Sequence, residues 1–248
     1  MRIACSLFVA LSFAETLTVS SHYHNKPYIV EPMVPQYAIK GRYITLPKTT
    51  ANFVDSTGVY NTDVKITVNG VDYTDKEYLV TGDFTVKYTA TNTDNKVMYA
   101  TFGGHPGFNV PLDNGSSEDY YLEFSEKCEP REIIFSDGST VPFPIRDNQF
   151  IDLKHSLFDN DSIFMVNAAD AMTLKSKISE RSVTISYPGA KYMGIWHTPK
   201  SDAPFVCLEP WWGSPARAGG YADLETMQDL YAFQPGDTKS VAYDIIIK

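Results

Sequence analysis

The chain has 248 residues and a mass of 27.8 kDa, enough for one large domain or two small ones with a sizeable buried core. Hydrophobic residues make up 43% and charged residues 21%, which excludes fibrous, low-complexity and disordered proteins as the natural class. The 21 basic and 30 acidic residues give a net charge of −9, the opposite sign to that of a general nucleic-acid-binding protein. We therefore predict no nucleic-acid partner.

The first 14 residues, MRIACSLFVALSFA, are the one segment with the features of a targeting sequence. Arg2 precedes an apolar run, and Ser12-Phe13-Ala14 has the small-x-small form of a cleavage site. The run is too short to span a bilayer, which takes about 20 residues. A buried N-terminal strand is favoured over a signal peptide. We expect a cytoplasmic protein without a membrane partner, and a secreted one if residues 1–14 are cleaved.

Alternation of apolar and polar residues, bounded by turn-forming residues, recurs along the chain. Val64, Ile66 and Val68 alternate with polar residues, and Asn69-Gly70 then supplies a type I′ hairpin turn to a return strand that starts at Val71. Further strands are predicted over residues 84–90, 120–124, 182–187, 192–196, 205–209 and 241–247.

Helical periodicity is weak throughout the chain. No stretch keeps the i, i+3, i+4, i+7 pattern for more than about two turns. The 15 glycines and 15 prolines are scattered, with no linker-like cluster. The sequence therefore predicts an all-β fold in which residues 1–248 form one domain, a large antiparallel β-sandwich.

Sequence motifs of several common enzyme classes are absent, among them the P-loop, the Rossmann glycine motif, the zincin helix and the hydrolase elbow. Cys5, Cys128 and Cys207 are odd in number and widely spaced, so we interpret them as small buried apolar residues. His22 and His24 would share one face of a strand, but a solvated strand end is favoured over a metal site because no third ligand has suitable spacing. We predict no cofactor and no metal.

The segment FGGHPGFN, which begins at Phe102, gathers three glycines and a proline around one imidazole. Glycine lets the backbone turn sharply and approach a ligand closely, and Pro106 holds the residue before it in an extended conformation. This arrangement presents His105 at the end of a strand. The alternative is a histidine that only satisfies a carbonyl group in the turn.

A second unusual segment, FVCLEPWWG, begins at Phe205. Glu209 closes an apolar strand, and Pro210 is expected to end the sheet ladder. A carboxylate beside aromatic walls is partly desolvated, which raises its pKa toward values useful for a general base, and indole faces suit the apolar C–H faces of a sugar. The alternative is a charge that protects a strand end, with Trp211 and Trp212 in a core or an interface.

Together the two segments resemble the aldose 1-epimerase, or galactose mutarotase-like, family. FGGHPGFNVPL and APFVCLEPWWG match the patterns GGHP-x-FN-x-P and P-F-x-C-x-E-P-W of its bacterial branch. The resemblance continues through LKHSLFDNDSIF and YMGIWHTPKSDAPF and covers residues 81–248, about two thirds of the chain. It implies the galactose mutarotase-like supersandwich, a large antiparallel β-sandwich that agrees with the predicted strands.

The resemblance also implies roles for individual residues. It makes His105 the general acid and Glu209 the general base of sugar-ring opening. Asp161 matches an acidic position that hydrogen-bonds sugar hydroxyls in the family, and Trp211 would help to wall the site. These roles require no cofactor.

The first third of the chain departs from the family pattern. Family members carry a Pro-Gln-His-Gly-Phe-x-Arg-like segment whose His and Arg also reach the sugar, whereas this chain reads VPQYAIKGR. Tyr37 stands where the His is expected and is a further candidate substrate-binding residue. Lys40 or Arg42 replaces the Arg. We therefore expect reduced activity.

The function implied is interconversion of the α and β anomers of a free aldohexose, with a monosaccharide as partner. A non-catalytic sugar-binding protein on the same sandwich is one alternative. Epimerisation of a hexose 6-phosphate is another, but it would need an arginine cluster, whereas the six arginines are spread singly along the chain. A secreted β-sandwich binding module unrelated to the family is a more distant alternative.

Overall fold

The three-dimensional structure is a computed structural model. It describes residues 83–92, 95–214 and 228–248 and, before them, the short strands at 18–20, 39–40, 43–46, 65–68, 71–72 and 76–79. Several residues named above lie outside the described part of the chain, namely residues 1–14, His22, His24, Tyr37, Arg42, Val64 and the predicted turn residues Asn69 and Gly70.

The described residues form twenty β-strands and two short 3₁₀ helices, Ser117–Asp119 and His155–Phe158. The strands are β1 (Thr18–Ser20), β2 (Ile39–Lys40), β3 (Tyr43–Leu46), β4 (Lys65–Val68), β5 (Val71–Asp72), β6 (Lys76–Leu79), β7 (Phe84–Thr91), β8 (Met98–Ala100), β9 (Gly107–Asn109), β10 (Tyr120–Phe124), β11 (Arg131–Ile133), β12 (Thr140–Pro142), β13 (Phe150–Asp152), β14 (Ile163–Val166), β15 (Ala171–Ser176), β16 (Ser182–Ser186), β17 (Tyr192–Trp196), β18 (Phe205–Trp211), β19 (Tyr231–Phe233) and β20 (Thr238–Ile247). Neither helical segment in this part of the chain has the length or the apolar composition of a membrane span.

Two large sheets dominate the fold. A six-stranded sheet has the order β13-β10-β15-β16-β20-β7, and a nine-stranded sheet has the order β12-β11-β14-β17-β18-β9-β2-β3-β6. Strands β1, β4 and β5 form a small third sheet, and β8 pairs with β19. Neighbouring strands are antiparallel except β2 and β9, which run parallel with Ile39 opposite Phe108. The predicted all-β, antiparallel fold is confirmed.

One hydrophobic core joins the two large sheets. Leu122 and Leu174 from the six-stranded sheet belong to the same buried cluster as Met193 and Leu208 from the nine-stranded sheet. A single cluster fed by the inner faces of two sheets is the packing of a β-sandwich.

The predicted strands are confirmed where the alternation was clear, including the hairpin in which Val68 lies opposite Val71. The expectation that Pro210 ends the ladder is wrong. Strand β18 continues to Trp211, with Pro210 opposite Met193 in β17. On its other side the carbonyl of Pro210 accepts a hydrogen bond of 2.8 Å from the Gly104 amide. A proline is tolerated at this position because its hydrogen bond with the Gly104 segment uses its carbonyl group, which proline retains, and not the N–H group that it lacks.

Pairing of β9 with β18 brings the two unusual sequence segments together. Gly107 lies opposite Cys207, and Phe108 lies opposite Val206. His105 precedes β9 by two residues and Glu209 lies two residues beyond Cys207, so both follow from this one register. The short β9 was not predicted, because its three residues are too few to show an alternation.

The side chains of strand β18 point alternately to the two faces of the nine-stranded sheet. Val206 and Leu208 belong to the core between the sheets. Because successive side chains of a strand point to opposite faces, Cys207, Glu209 and Trp211 lie on the face turned away from that core.

The neighbouring strands follow the same alternation. Met193 and Ile195 of β17 belong to the core, which places Gly194 and Trp196 on the opposite face. Phe164 of β14 also lies there, because it is buried but outside the core cluster. We call this outer face, with Phe164, Gly194, Trp196, Cys207, Glu209 and Trp211, the site face.

Gly103 fixes the position of Trp211 on the site face. The two residues form an isolated β-bridge, and a Cβ atom at position 103 would lie 2.2 Å from Cε3 of the indole. No side-chain Cβ can approach an aromatic ring so closely. The absence of a side chain at Gly103 is therefore what lets the indole lie against the backbone.

We expect Gly103→Ala to lower the free energy of unfolding by about 1–3 kcal/mol, because the added methyl overpacks the indole contact. Denaturant unfolding monitored by tryptophan fluorescence measures the change. Trp211→Leu removes the clashing ring atoms, so the cost of Gly103→Ala should shrink in that background. An equal cost in both backgrounds would mean that the glycine is needed for another reason.

Candidate active site

His105 and Glu209 face each other on the site face. Nε2 of His105 lies 3.2 Å from Oε1 of Glu209. The Glu209 side chain keeps only 4% of its surface exposed, whereas the His105 side chain keeps 29%. Among the described residues, neither Oε1 of Glu209 nor Nδ1 of His105 has a hydrogen-bond partner of good geometry. The pair thus holds unused hydrogen-bonding capacity at a point that is open on the histidine side.

Trp211 donates a hydrogen bond to the Glu209 carboxyl, and Gly194 leaves space for its side chain. Nε1 of Trp211 donates a hydrogen bond of 3.4 Å to Oε2 of Glu209, which leaves Oε1 directed to His105. Gly194 lies directly opposite Glu209 in the sheet. A Cβ atom there would lie 2.9 Å from the ring of Phe164 and 3.2 Å from Cβ of Glu209. Gly194 therefore makes room for both side chains.

Trp196 connects His105 to Asp161. The indole of Trp196 meets the His105 imidazole edge to face, with 5.8 Å between the ring centroids. Nε1 of Trp196 donates a hydrogen bond of 2.8 Å to Oδ1 of Asp161. Together Trp196 and Trp211 place indole surface next to the acid and base candidates, and a carboxylate lies beyond.

Asp161 has an unusual backbone conformation. Its φ is +83°, in the left-handed region that non-glycine residues rarely adopt. Its amide donates to the carbonyl of Phe158 at 3.0 Å, and its Oδ1 accepts from the amide of Ser162 at 2.9 Å. Such a conformation costs about 1–3 kcal/mol and is common at binding sites. The exposed carboxylate is thereby fixed beside Trp196.

Burial shifts the pKa values of the pair in opposite directions. It raises the pKa of Glu209 to about 8, and the nearby Asp161 charge adds to the rise while the Trp211 hydrogen bond opposes it. Burial also lowers the pKa of His105 to about 4. Near pH 7 the carboxyl group of Glu209 therefore holds a proton while the imidazole is neutral. Such a pair carries one transferable proton and one vacant basic nitrogen.

The structure brings His105, Glu209 and Trp211 together and connects Asp161 to them through Trp196. The alternative of a charge that protects a strand end does not fit Glu209, because this residue is 3% exposed and its strand continues to Trp211. Tyr37 lies outside the described residues. The strand that begins two residues after it, β2, runs beside β9. Trp212 is 5% exposed and belongs to the core, not to the site.

Sequence reasoning missed Trp196, Phe164 and the place of Cys207. The interpretation of the cysteines as buried holds for Cys207 and is wrong for Cys128, which is only partly buried. Cys207 is buried on the site face and not in the core between the sheets, and its Sγ lies within 4.8 Å of ligand atoms of His105 and Glu209. The alternation of side chains between the two faces of β17 and β18 was the signal for Trp196 and Cys207. Their contact with His105 depends on a strand register that the sequence does not reveal.

The chain is similar to curated proteins over part of its length. No protein-family model matches the chain. Protein LacX of Lactococcus lactis subsp. lactis, in its chromosomal and plasmid forms, is 31% identical over 171 residues, which are 65% of this chain and 56% of the relative. The chain thus spans just over half the length of these curated relatives.

Solved structures give the fold. A galactose mutarotase-like protein from Lactobacillus casei is 27% identical with a TM-score of 0.60, covering 69% of this chain and 62% of that one. A galactose mutarotase related enzyme from Lactobacillus acidophilus is 22% identical with a TM-score of 0.61, covering 90% and 72%. The chain therefore has the fold of the galactose mutarotase-like proteins, in agreement with the resemblance read from its motifs.

The opposite pKa shifts of the pair predict a decline in stability between about pH 6.5 and 8. The folded protein keeps the Glu209 proton between the ordinary pKa of 4.5 and about 8, so this residue makes the fold less stable as the pH rises. His105, with its pKa lowered from 6.5 to about 4, and His197, whose pKa burial also lowers, act in the opposite sense, but only below about pH 6.5. Above that pH only the Glu209 effect of this set remains, at most about 1.4 kcal/mol per pH unit.

Glu209→Gln should abolish this decline, as measured by urea denaturation at pH 6.5, 7.25 and 8. Glu180→Gln, a matched change at an exposed position, should retain it. A decline of equal slope in Glu209→Gln would assign the proton to another group.

Proposed function

We propose that this chain is an aldose 1-epimerase that interconverts the α and β anomers of a free aldohexose. One observation carries the proposal, namely the contact of 3.2 Å between Nε2 of His105 and Oε1 of Glu209 on a sheet face lined by indoles. The fold shared with galactose mutarotase-like proteins supports it. The motifs that contain both residues support it as well.

The reaction needs one acid and one base. To open the ring, Glu209 removes the proton of the anomeric O1 hydroxyl while His105 protonates the ring oxygen O5, and the C1–O5 bond breaks. The resulting aldehyde rotates about the C1–C2 bond. In ring closure the residues exchange tasks: His105 takes back the proton from O5 as this oxygen attacks the other face of C1, and Glu209 returns its proton to O1. Each such transfer contributes roughly 10²–10⁴ in rate.

The protonation state of the pair suits the middle of this sequence. After ring opening Glu209 holds a proton and His105 is neutral, which is the state that burial favours near pH 7. Neither group is charged in that state, whereas both are charged before ring opening, so the open-chain aldehyde forms without a buried charge beside it. A cyclic sugar reacts from the other protonation state of the pair, in which the proton lies on His105 and Glu209 is ionised.

The surrounding residues supply binding. The indoles of Trp196 and Trp211 suit the C–H faces of a hexose, and the fixed carboxylate of Asp161 can accept hydrogen bonds from its hydroxyl groups. In this proposal these residues orient the ring so that O1 lies near Glu209 and O5 near His105.

The described arginines do not favour a phosphorylated substrate. Arg131 donates to Thr140, Arg146 pairs with Asp152, and Arg181 pairs with Asp113. None of these partners belongs to the site face. A free sugar therefore agrees better with this arrangement than a hexose 6-phosphate does.

Polarimetry of freshly dissolved α-glucose and α-galactose tests the proposal. Glu209→Gln and His105→Asn should each lower the catalysed rate by about 10²-fold or more, because each removes one proton-transfer group. His155→Asn is a matched control, since this partly buried histidine bonds to Ser117 and His197 and does not contact Glu209. Its rate should stay unchanged. Equal rates for all three variants and the wild type would refute the catalytic roles, and sugar binding without turnover in the wild type would favour a non-catalytic sugar-binding protein.

The divergent segment VPQYAIKGR leads to a prediction of slow turnover. A phenol at Tyr37 donates one neutral hydrogen bond, and Lys40 lacks the bidentate fork of an arginine. Losing one charged hydrogen bond costs about 1.5–3 kcal/mol, roughly 10- to 150-fold in rate. Tyr37→His combined with Lys40→Arg should therefore raise kcat/KM. A fall or no change would mean that this segment does not align with the family's Pro-Gln-His-Gly-Phe-x-Arg pattern.

A further inference from the structure

The site face holds three different potential metal ligands at one point. The atoms Nε2 or Nδ1 of His105, Sγ of Cys207 and a carboxylate oxygen of Glu209 all lie within 4.8 Å of one another. Among the described residues this is the one group of three or more His, Cys, Asp and Glu side chains that is close enough to share an ion.

Strand geometry explains the convergence. Cys207 and Glu209 are two residues apart on β18, so their side chains leave the same face of the strand. His105 comes from the segment before β9, which pairs with β18 at Cys207. The three ligands are thus held by neighbouring strands of one sheet.

The separation of the first two ligands suits a tetrahedral ion. Metal–ligand bonds of about 2.0–2.1 Å at the tetrahedral angle place two ligand atoms about 3.3 Å apart, and the His105 and Glu209 atoms are 3.2 Å apart. Oε1 of the buried Glu209 has no hydrogen-bond partner among the described residues. Trp211 orients the carboxyl through Oε2, as outer hydrogen bonds do at metal sites, and so leaves Oε1 free to bind.

We propose that His105, Cys207 and Glu209 form a binding site for one thiophilic divalent cation, with Zn²⁺ the best match. A nitrogen, a thiolate and a carboxylate are ligands that zinc binds, and three-ligand zinc sites complete their tetrahedron with water or substrate. Hard ions such as Mg²⁺ and Ca²⁺ require oxygen ligands and are not expected to bind. Binding requires the Cys207 thiol to lose its proton, which the ion itself drives.

Bound zinc has a consequence that rests on the proposed function. The ion would occupy Nε2 of His105 and Oε1 of Glu209, the two atoms that the proton transfers need. Zinc is therefore a reversible inhibitor of anomer interconversion, and a chelator should restore the activity.

Titration of the reduced, metal-free protein with Co²⁺ tests the site without any assay of activity, because a cobalt–thiolate bond absorbs in the near ultraviolet. The expected result is one Co²⁺ per chain with this absorption band, displaced by Zn²⁺ and not by Mg²⁺. Cys207→Ser should abolish the band and weaken cobalt affinity by at least about tenfold, the smallest loss seen even for residues around metal ligands.

The double variant Cys5→Ser/Cys128→Ser is the matched control, because Cys207 is then the only thiol in the chain. It should keep the band. Loss of the band in this control, or its persistence in Cys207→Ser, would overturn the proposal, as would the absence of stoichiometric binding to the wild type.

If Cys207→Ser fails to fold, Glu209→Gln serves in its place: it keeps the thiol and should weaken cobalt affinity by a similar factor, and unchanged affinity would refute the site. Cobalt binding by a protein without mutarotase activity would leave the metal site standing and remove only the inhibition. Mutarotase activity without cobalt binding would refute the metal site and leave the proposed function standing.

Discussion

The burial of the Glu209 carboxyl is the constraint on which the whole site depends. A carboxylate without a partner is costly to bury, and the protein meets this cost by keeping the group protonated near neutral pH. Three neighbours accommodate this carboxyl group: Gly194 leaves space for it, Trp211 donates a hydrogen bond to one oxygen, and His105 lies against the other. A group held in this way can gain or lose a proton in response to a small change in its surroundings, as an entering ligand would bring.

Local patterns in the sequence predict much of this architecture. Alternation with a period of two identifies β7 and β16, because each has one apolar face that must be buried. Flanking turn residues mark the strand-like runs of β10, β17, β18 and β20. Partial desolvation of Glu209 also follows from its neighbours in sequence, an apolar strand and two indoles. The choice of His105 and Glu209 as partners came from the family resemblance.

Other features depend on which strands pair and in what register. Trp196 reaches the site because Gly194 lies opposite Glu209, and Gly107 lies opposite Cys207 because β9 joins β18 from about a hundred residues earlier in the chain. Strands of two or three residues, such as β2 and β9, are too short to show any period. Pro210 stays within its strand because Gly104 uses its carbonyl. The lowered pKa of His105 likewise requires a burial that only the folded sheet creates.

The order of strands in the six-stranded sheet bears on how the molecule is assembled. Strand β20, the last of the described strands, lies between β16 and β7 and pairs with both. Until Thr238–Ile247 has paired with it, β7 has no partner in this sheet among the described strands, and its hydrogen-bonding edge is open to other chains. Contacts over such long sequence separations form slowly. The six-stranded sheet is therefore complete only once β20 has joined it, and a folding intermediate without β20 would carry β7 as an exposed strand prone to aggregation.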